Sequence, residues 1–384
     1  MRRIAILGST GSIGRSVLEV VDRHPGRFEI VALAANRSVE ALADQVSRYR
    51  PRLGVVVDED RLNGRPDLPQ GEWRAGREAL LEIPEMDEVD LVVNALVGAA
   101  GLEPTLRTLE AGKRLALANK ESLVAGGELV MEAAGRGCGE LIPVDSEHSA
   151  ILQCLEGYDM SSVARMVLTA SGGPFRGWSR EEVSQVHPSQ ALDHPTWSMG
   201  AKITVDSATL ANKALEVIEA HFLYGIEYDA LGVVVHPQSI VHSFVEFVDG
   251  SVLAQLGFPT MELPILYAMT YPARIEDRHL RTFDPVRASP LEFQEVDRET
   301  FPLFGLGERA GREGGTSPAV FNAANEIAVG AFLEERIRFP EMGEVVARVL
   351  DRMGRERVES VEQVLETDER ARVVARETVR ALER

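Results

Sequence analysis

The first 145 or so residues alternate between short apolar runs and segments with helical spacing. Apolar runs bounded by turn residues predict buried strands, and apolar positions three and four apart predict helices. Strands that are apolar along their whole length need covering on both faces, so this alternation predicts a parallel sheet between helices. The predicted strands are 3–7, 28–34, 54–57, 89–94, 114–118 and 141–144, with clear helices over 12–24 and 39–49.

The pattern changes after about residue 150. Strands are predicted over 163–171, 232–235, 243–248 and 251–257, and Asp249-Gly250 between the last two indicates a hairpin. Helices over 150–156 and 208–224 intervene, which makes this an α+β region with a partly antiparallel sheet. The Pro-rich stretch 271–302 has few periodic signals and is typical of a linker. Helices are predicted from residue 317 onward, over 319–336, 342–353 and 360–382.

These patterns define an α/β fold class with an N-terminal Rossmann-like parallel sheet, a central α+β domain and a C-terminal helical domain. A chain of 384 residues is too long for one ordinary core, so several domains are expected. The predicted limits are 1–148 for the first domain, 149–280 for the second with a flap at 193–201, 281–310 for a linker, and 311–384 for the helical domain.

Composition narrows the function classes. Hydrophobic residues make up 45% and charged residues 26%, which is typical of a globular protein. No apolar run approaches the about 18 residues of a membrane span, and the N-terminal run is too short for a signal peptide, so we expect a cytoplasmic protein without a membrane partner. Two cysteines, Cys138 and Cys154, make no disulfide framework. A net charge of −19 argues against nucleic acid, although local donors can still bind a small anion.

A glycine-rich turn, Gly8-Ser9-Thr10-Gly11-Ser12-Ile13-Gly14, follows the first strand and opens a helix. Glycines let the backbone approach a pyrophosphate, and the helix N-terminus supplies N–H donors and positive dipole. The spacing differs from the commoner dinucleotide pattern, and a simple tight turn is the alternative. The second strand ends in Ala35-Asn36-Arg37, with no carboxylate for a ribose hydroxyl and with a cation for a 2′-phosphate. NADP is therefore favoured over NAD, unless Arg37 is only a solvated side chain.

Two carboxylates, Asp145 and Glu147, follow the last strand of the first region. In an extended backbone they project from the same face, with Ser146 and His148 on the other. Adjacent like charges repel unless they are neutralised, and a divalent cation with oxygen ligands does so. The alternative is a solvated strand end. Lys120 also follows a strand, at the edge where parallel sheets bind ligands.

Three segments of the second region carry further polar chemistry. Ser171 precedes two glycines, a turn that can present N–H groups to a phosphate, or an ordinary loop. The loop 194–200 contains His194 and Trp197 and predicts a lid that excludes water, or a loop anchored by its tryptophan. On one predicted helix, Asn212 is suited to bind a hydroxyl, Lys213 a phosphate and Glu216 a metal. The alternative is that Lys213 and Glu216 form only a solvated salt bridge.

Taken together, these motifs resemble the 1-deoxy-D-xylulose 5-phosphate reductoisomerase family of the non-mevalonate isoprenoid pathway. The resemblance implies NADPH-dependent rearrangement and reduction of 1-deoxy-D-xylulose 5-phosphate to 2-C-methyl-D-erythritol 4-phosphate, with Mg²⁺ or Mn²⁺, in a homodimer. It also implies an N-terminal NADPH domain, a catalytic domain with a flap, and a C-terminal helical domain. The matching segments span nearly the whole chain: 8–14, 118–123, 143–150, 171–175, 194–200, 207–216, 236–243 and 319–329.

The resemblance implies roles for individual residues. The implied metal ligands are Asp145, Glu147 and Glu216, and with Lys120 and His194 they form the catalytic set. The substrate-binding residues are Lys120, Ser146, Glu147, Ser171, His194, Trp197, Ser207, Asn212, Lys213 and Glu216. The NADPH-binding residues are Gly8, Thr10, Gly11, Ser12, Ile13, Ala35, Asn36, Arg37, Asn119, Glu121 and Gly200. Relatives often carry glycine and lysine after the second strand, so which atom here contacts the 2′-phosphate is open.

Two other functions fit parts of the pattern. A simple NADP-dependent sugar-phosphate dehydrogenase would need no isomerisation and no set of three carboxylates. A non-catalytic NADP-binding regulator would gain nothing from repelling carboxylates. For the reductoisomerase reaction itself, either a retro-aldol and aldol sequence or an α-ketol shift would give the rearranged aldehyde.

Overall fold

The computed structural model describes residues 1–65, 67–197 and 199–383, and it has the predicted α/β fold class. The chain divides into two compact units. The first contains Met1–Ser122, Val130–Ser149 and Thr260–Leu280, and the second contains Leu123–Leu129, Ala150–Pro259 and Arg281–Arg384. The finer division at 148, 280 and 310 stays a prediction.

A seven-stranded, all-parallel sheet forms the first unit, in the order β4-β3-β2-β1-β5-β6-β7. Its central strand is fully buried from Ile4 to Leu7, as the apolar sequence predicts. The edge strand β4 was not predicted, because Glu72-Trp73-Arg74-Ala75 is half polar and faces solvent. The strands are β1 Arg2–Leu7, β2 Phe28–Ala35, β3 Leu53–Val56, β4 Glu72–Ala75, β5 Leu91–Asn94, β6 Arg114–Leu117 and β7 Glu140–Pro143.

The second unit contains a mixed four-stranded sheet in the order β11-β10-β8-β9. Its strands are β8 Val163–Ala170, β9 Leu231–Val235, β10 Val241–Phe247 and β11 Val252–Leu256. Strand β10 runs antiparallel to both neighbours, and β8 and β9 are parallel. The predicted hairpin is confirmed: Gly250 has a φ of +85°, and the Asp249 carboxylate accepts the Ser251 N–H at 2.9 Å.

Seventeen α-helices occur in the described residues, with 3-10 turns at Ile83–Glu85, Gly98–Gly101, Met160–Ser162 and Tyr228–Ala230. None of these helices is both long and apolar enough to cross a membrane. The helices are α1 Ser12–Arg23, α2 Val39–Tyr49, α3 Glu59–Leu62, α4 Arg77–Glu82, α5 Leu102–Glu110, α6 Lys120–Arg136, α7 Ser146–Leu155, α8 Arg180–Val183, α9 Pro188–Ala191, α10 Ala201–Ala208, α11 Ala211–Tyr224, α12 Glu262–Thr270, α13 Pro285–Ala288, α14 Pro302–Glu313, α15 Ser317–Leu333, α16 Phe339–Met353 and α17 Val361–Leu382.

Helix α14 was not predicted, and its first nine residues lie within 281–310, the stretch predicted as a linker. Three glycines lower its helix propensity and hide its period in the sequence. Two of these glycines allow α14 to pack closely on its neighbours. A Cβ on Gly307 would lie 2.5 Å from the Ala214 Cβ, and one on Gly311 would lie 2.7 Å from the Tyr228 hydroxyl. With α15 to α17, this helix encloses a core that includes Phe304, Phe321 and Phe332.

Candidate active site

The glycine-rich turn lies where the strand order of the parallel sheet reverses, between β1 and β5. Ligands of open α/β sheets bind at this point, beyond the carboxyl ends of the strands. Gly8 has a φ of +85°, and a Cβ on it would lie 2.5 Å from the Ala95 carbonyl oxygen of the neighbouring loop. Gly14 lets α1 pack on the turn, because its Cβ would lie 2.4 Å from the Gly8 oxygen. The N-terminus of α1, from Ser12, therefore faces the crevice with its unpaired donors.

Two asparagines, Asn94 and Asn119, connect the loops that leave the central strands. Asn94 donates to the Gly101 carbonyl and to the Thr105 hydroxyl, each at 2.9 Å. The Asn119 side chain caps α6 by accepting the Ser122 N–H at 3.0 Å, and its amide nitrogen lies 3.0 Å from the Leu96 and Gly98 carbonyls. Asn119 was predicted to bind the cofactor, and the structure adds that it shapes the crevice.

Arg37 lies just beyond the end of β2, as predicted, with 71% of its side chain exposed. Its Nε donates to the Asp58 carboxylate at 2.9 Å. Asn36 is exposed beside it, whereas Ala35 is buried in the strand. The guanidinium keeps further donors for a phosphate, since one side chain carries five N–H groups.

The extended arrangement predicted for 144–148 is wrong. Strand β7 ends at Pro143 and α7 begins at Ser146, and the Ser149 N–H donates to the Asp145 carbonyl at 2.8 Å. Asp145 and Glu147 therefore flank the start of a helix, where the positive end of the helix dipole favours carboxylates. Ser146 donates its hydroxyl to Glu147 at 2.6 Å, so it lies with the carboxylates and not on an opposite face.

This strand end carries the ligand chemistry of the first unit. Asp145 and Glu147 each offer a carboxylate oxygen within 4.8 Å of the other, and His148 offers a ring nitrogen within the same distance of Asp145. Lys120, the first residue of α6, forms an ion pair with Asp145 at 2.6 Å and is largely buried. Hard oxygen donors of this kind fit Mg²⁺ or Mn²⁺, which prefer carboxylates. The neighbouring Glu121 accepts a hydrogen bond from the Asn119 amide at 3.0 Å.

The second unit brings together three predicted residues that are far apart in sequence. His194 Nε2 lies 3.1 Å from the Ser171 hydroxyl and 3.1 Å from the Ser207 hydroxyl. Gly173 allows this approach, because a Cβ on it would lie 2.7 Å from the Ser207 carbonyl oxygen. The turn predicted to present Ser171 is therefore packed directly against the end of α10.

The backbone of the flap sets the tautomer of His194. Its Nδ1 accepts N–H groups from Thr196 at 3.1 Å and from Trp197 at 3.0 Å, so the proton belongs on Nε2, facing the two serines. Burial lowers the pKa of His194, which keeps the ring neutral. Gly200 precedes α10 as its N-cap. Ser198, within the predicted flap at 193–201, lies outside the described residues.

Helix α11 carries the third polar group, and it is not the solvated salt bridge that was the alternative. Lys213 and Glu216 are only 4% and 1% exposed, and they form an ion pair. Asn212 donates its amide to the other carboxylate oxygen of Glu216. Leu210, just before the helix, has a φ of +60° although it is not glycine, so the turn into α11 is strained. A buried cation, an amide and a carboxylate thus share one helix turn.

Lysine scarcity is a signal that sequence reasoning missed. The chain has 37 arginines but only four lysines: Lys113, Lys120, Lys202 and Lys213. Lysine is a compact point charge that fits a closed polar site, whereas arginine needs room for its planar fork. Lys120 and Lys213 were already predicted as site residues, and Lys202 lies on α10, the helix that contains Ser207.

Known protein families match most of this chain, including the segments that contain the candidate site. Family models described as 1-deoxy-D-xylulose 5-phosphate reductoisomerase and its C-terminal domain match residues 4–127 and 141–224, and one described as DXP reductoisomerase C-terminal domain matches 256–374. The 1-deoxy-D-xylulose 5-phosphate reductoisomerase of Chlorobaculum tepidum is 50% identical over 99% of this chain and 100% of its own length. The chain belongs to the 1-deoxy-D-xylulose 5-phosphate reductoisomerase family.

Further reductoisomerases agree over the full length. That of Symbiobacterium thermophilum is 51% identical over 97% of this chain and 98% of its own. The solved reductoisomerase of Zymomonas mobilis in complex with NADPH is 40% identical, covers 98% of this chain and 99% of its own, and has a TM-score of 0.91. A solved reductoisomerase in complex with NADPH, fosmidomycin and magnesium is 38% identical over 100% of this chain and 99% of its own, with a TM-score of 0.93.

Proposed function

We propose that this protein catalyses the NADPH- and divalent-metal-dependent rearrangement and reduction of 1-deoxy-D-xylulose 5-phosphate to 2-C-methyl-D-erythritol 4-phosphate. The observation that carries the proposal is the buried turn of α11, where phosphate-type donors and a carboxylate lie side by side. A simple sugar-phosphate dehydrogenase needs the phosphate donors but not the carboxylate. The family membership favours the reductoisomerase.

The substrate phosphate is proposed to bind the second unit. Its donors are the hydroxyls of Ser171 and Ser207, the Nε2–H of His194, the Asn212 amide and the Lys213 ammonium. His194 Nε2 already lies 3.1 Å from each of the two hydroxyls. The binding energy of a phosphate remote from the reacting carbons can be used to orient them and to close the flap, where Trp197 covers the substrate.

The divalent cation is proposed to be held by Asp145 and Glu147 of the first unit together with Glu216 of the second. The donor chemistry supports it, because carboxylate oxygens suit Mg²⁺ and Mn²⁺. The relative solved with NADPH, fosmidomycin and magnesium supports the choice of metal. When bound, the cation supplies electrophilic stabilisation of oxyanion charge during rearrangement and reduction.

NADPH is proposed to bind the crevice of the first unit and to supply the hydride. The proposed contacts are Gly8, Thr10, Gly11, Ser12, Ile13, Ala35, Asn36, Arg37, Asn119 and Glu121, with Gly200 contributed by the second unit. The relatives solved with NADPH support this assignment. An enzyme that consumes NADPH is expected in the cytoplasm, and we propose that location.

The remaining chemistry belongs to side chains of the first unit and to the flap. Lys120 holds a proton at Nζ, 2.6 Å from Asp145, where it can be shared with a substrate oxygen. Ser146, which now donates to Glu147 at 2.6 Å, can turn its hydroxyl to the sugar backbone. The flap held by His194 excludes water, which protects the aldehyde intermediate from hydration.

A direct assay tests the function. NADPH oxidation is measured with 1-deoxyxylulose 5-phosphate in the presence of Mg²⁺, and then after EDTA treatment and metal re-addition. We expect turnover only with the metal, because the oxyanion charge otherwise develops without stabilisation. Turnover that persists unchanged in EDTA would indicate a simple dehydrogenase. Product analysis by NMR distinguishes the branched product from an unrearranged alcohol.

Arg37→Ala is expected to raise the KM for NADPH about tenfold and to leave the KM for NADH unchanged, since a lost charge-assisted phosphate contact is worth ~1.4 kcal/mol. Arg27→Ala is the matched control, an exposed arginine at the other end of β2. Steady-state kinetics with both cofactors measure the effect. If Arg37→Ala behaves like Arg27→Ala, the 2′-phosphate is bound elsewhere.

We also propose a homodimer, formed through the edge strand β11. This strand exposes Val252, Leu253 and Leu256, and an uncovered apolar edge favours pairing with a second copy. Leu253→Lys is expected to shift the protein toward the monomer in sedimentation equilibrium. Val286→Lys, at a valine exposed elsewhere in the same unit, should leave the assembly unchanged. Equal behaviour of both variants would exclude this edge.

A further inference from the structure

Helix α10 contains a buried carboxylate immediately before Ser207. Asp206 is 1% exposed, and burying an ionised carboxylate is unfavourable unless it is paired and hydrogen-bonded. Lys202, one turn earlier, lies 2.8 Å from Asp206 Oδ2. The second partner comes from the C-terminal helical region: the Asn325 amide donates to Asp206 Oδ1 at 2.7 Å.

Asn325 lies on α15, 119 residues from Asp206, and is completely buried. Its segment, 319–329, is one of those that resemble the reductoisomerase family, yet the proposed function leaves it without a role. Its hydrogen bond to α10 ties this region to the helix that presents Ser207.

The residues after Asp206 form the turn that leads to the phosphate donors. Thr209 donates its hydroxyl to the Asp206 carbonyl at 3.2 Å and accepts the Ala211 N–H at 3.3 Å. Leu210 takes its left-handed conformation here, and α11 then begins with Asn212 and Lys213 in its first turn. A strained turn keeps its shape only where its surroundings hold it, and the Asp206 carboxylate anchors the end of the helix that leads into this turn.

We propose that Asn325 is a positioning residue for phosphate binding. By holding Asp206, it orients Ser207 and the turn into α11, so the C-terminal helical region contributes to substrate affinity. Lys202 neutralises the Asp206 carboxylate, which would otherwise repel a phosphate bound by the next residue, and the Asn325 amide satisfies the other carboxylate oxygen with a hydrogen bond. The inference rests on the proposed phosphate site.

The test compares two buried asparagines of one helix. Asn322, also fully buried on α15, donates its amide at 2.9 Å to Glu326 of the same helix. Asn325→Ala and Asn322→Ala are assayed with inorganic phosphate as a competitive inhibitor of NADPH oxidation, and each is checked by thermal unfolding. We expect the inhibition constant to rise about tenfold (~1.4 kcal/mol) for Asn325→Ala and to stay within about twofold for Asn322→Ala. Equal shifts in both variants, or no shift in Asn325→Ala, would overturn the proposal.

Ser207→Ala separates this inference from the proposed function. If Ser207→Ala leaves phosphate inhibition unchanged, the phosphate site itself is wrong. If Ser207→Ala weakens inhibition and Asn325→Ala does not, only the positioning role fails. The double variant should show less than the sum of the two effects, because both act on one serine. Should Asn325→Ala not fold, Asn325→Leu, which keeps the side-chain shape, is measured against the same criterion.

Discussion

Glu216→Gln is expected to lower kcat by on the order of a thousandfold while the affinity for NADPH stays close to normal. The substitution preserves the shape of the side chain and keeps one acceptor oxygen, which can serve Asn212 or Lys213, so the buried turn of α11 can persist. It removes a negative charge of the proposed divalent-cation site. Calorimetric titration with Mg²⁺ should show a strongly weakened binding step, and NADPH binding can be followed by fluorescence.

Glu219→Gln is the control variant, which shows whether Glu216 or its buried neighbour Glu219 binds the cation. Glu219 is as buried as Glu216 and lies one turn further along the same helix. Loss of Mg²⁺ binding in Glu216→Gln alone assigns the ligand to Glu216. Near-normal turnover in Glu216→Gln together with a large loss in Glu219→Gln would move the ligand by one turn. Thermal unfolding of both variants distinguishes these outcomes from a loss of fold.

Lys213→Met is expected to lower kcat/KM for 1-deoxyxylulose 5-phosphate by roughly a hundredfold to a thousandfold, with the KM for NADPH unchanged. Lys213 is the buried cation of the proposed phosphate site, and the region from 181 to 273 contains no arginine that could replace it. Methionine preserves most of the side-chain volume, so the loss reports charge. Steady-state kinetics with varied substrate give the value.

Lys113→Met provides the control for removing a lysine. Lys113 lies just before β6, away from the carboxyl ends of the strands, and its ammonium contacts the Met86 carbonyl. We expect its kcat/KM to be unchanged. The phosphate assignment fails if the two variants lose activity equally. It also fails if Lys213→Met weakens inorganic phosphate inhibition no more than Lys113→Met does.

Much of the fold could be predicted because its signals are local. Apolar runs such as Ile4 to Leu7 predicted buried parallel strands, and Asp249-Gly250 predicted the hairpin between β10 and β11. The glycines of the first turn predicted a nucleotide-type βα unit, since few residues tolerate such close backbone contact. The failures are also local: β4 is a polar edge strand, and the glycines of α14 conceal a helix whose packing requires them.

The sequence predicted which residues belong to the candidate site more accurately than it predicted how they are arranged. The alternation expected for Asp145 and Glu147 was wrong, because the strand ends at Pro143 and the backbone turns into α7. The Lys213 and Glu216 pair could be read as solvated, and only its burial excludes that reading. The residue at which a helix begins and the burial of a side chain both depend on the elements that pack around them, and not only on the local residue types.

The candidate functional groups of this protein occur in short sequence motifs: the glycine turn, the carboxylates after β7, and the polar residues of α11. They were sufficient for the family and for most of the proposed ligands, because each motif forms from neighbours in the chain. The contacts among Ser171, His194 and Ser207, and the hydrogen bond from Asn325 to Asp206, join residues separated by up to 119 positions. Only tertiary packing decides such contacts, since no periodic pattern along a chain encodes which distant side chain completes a buried polar group.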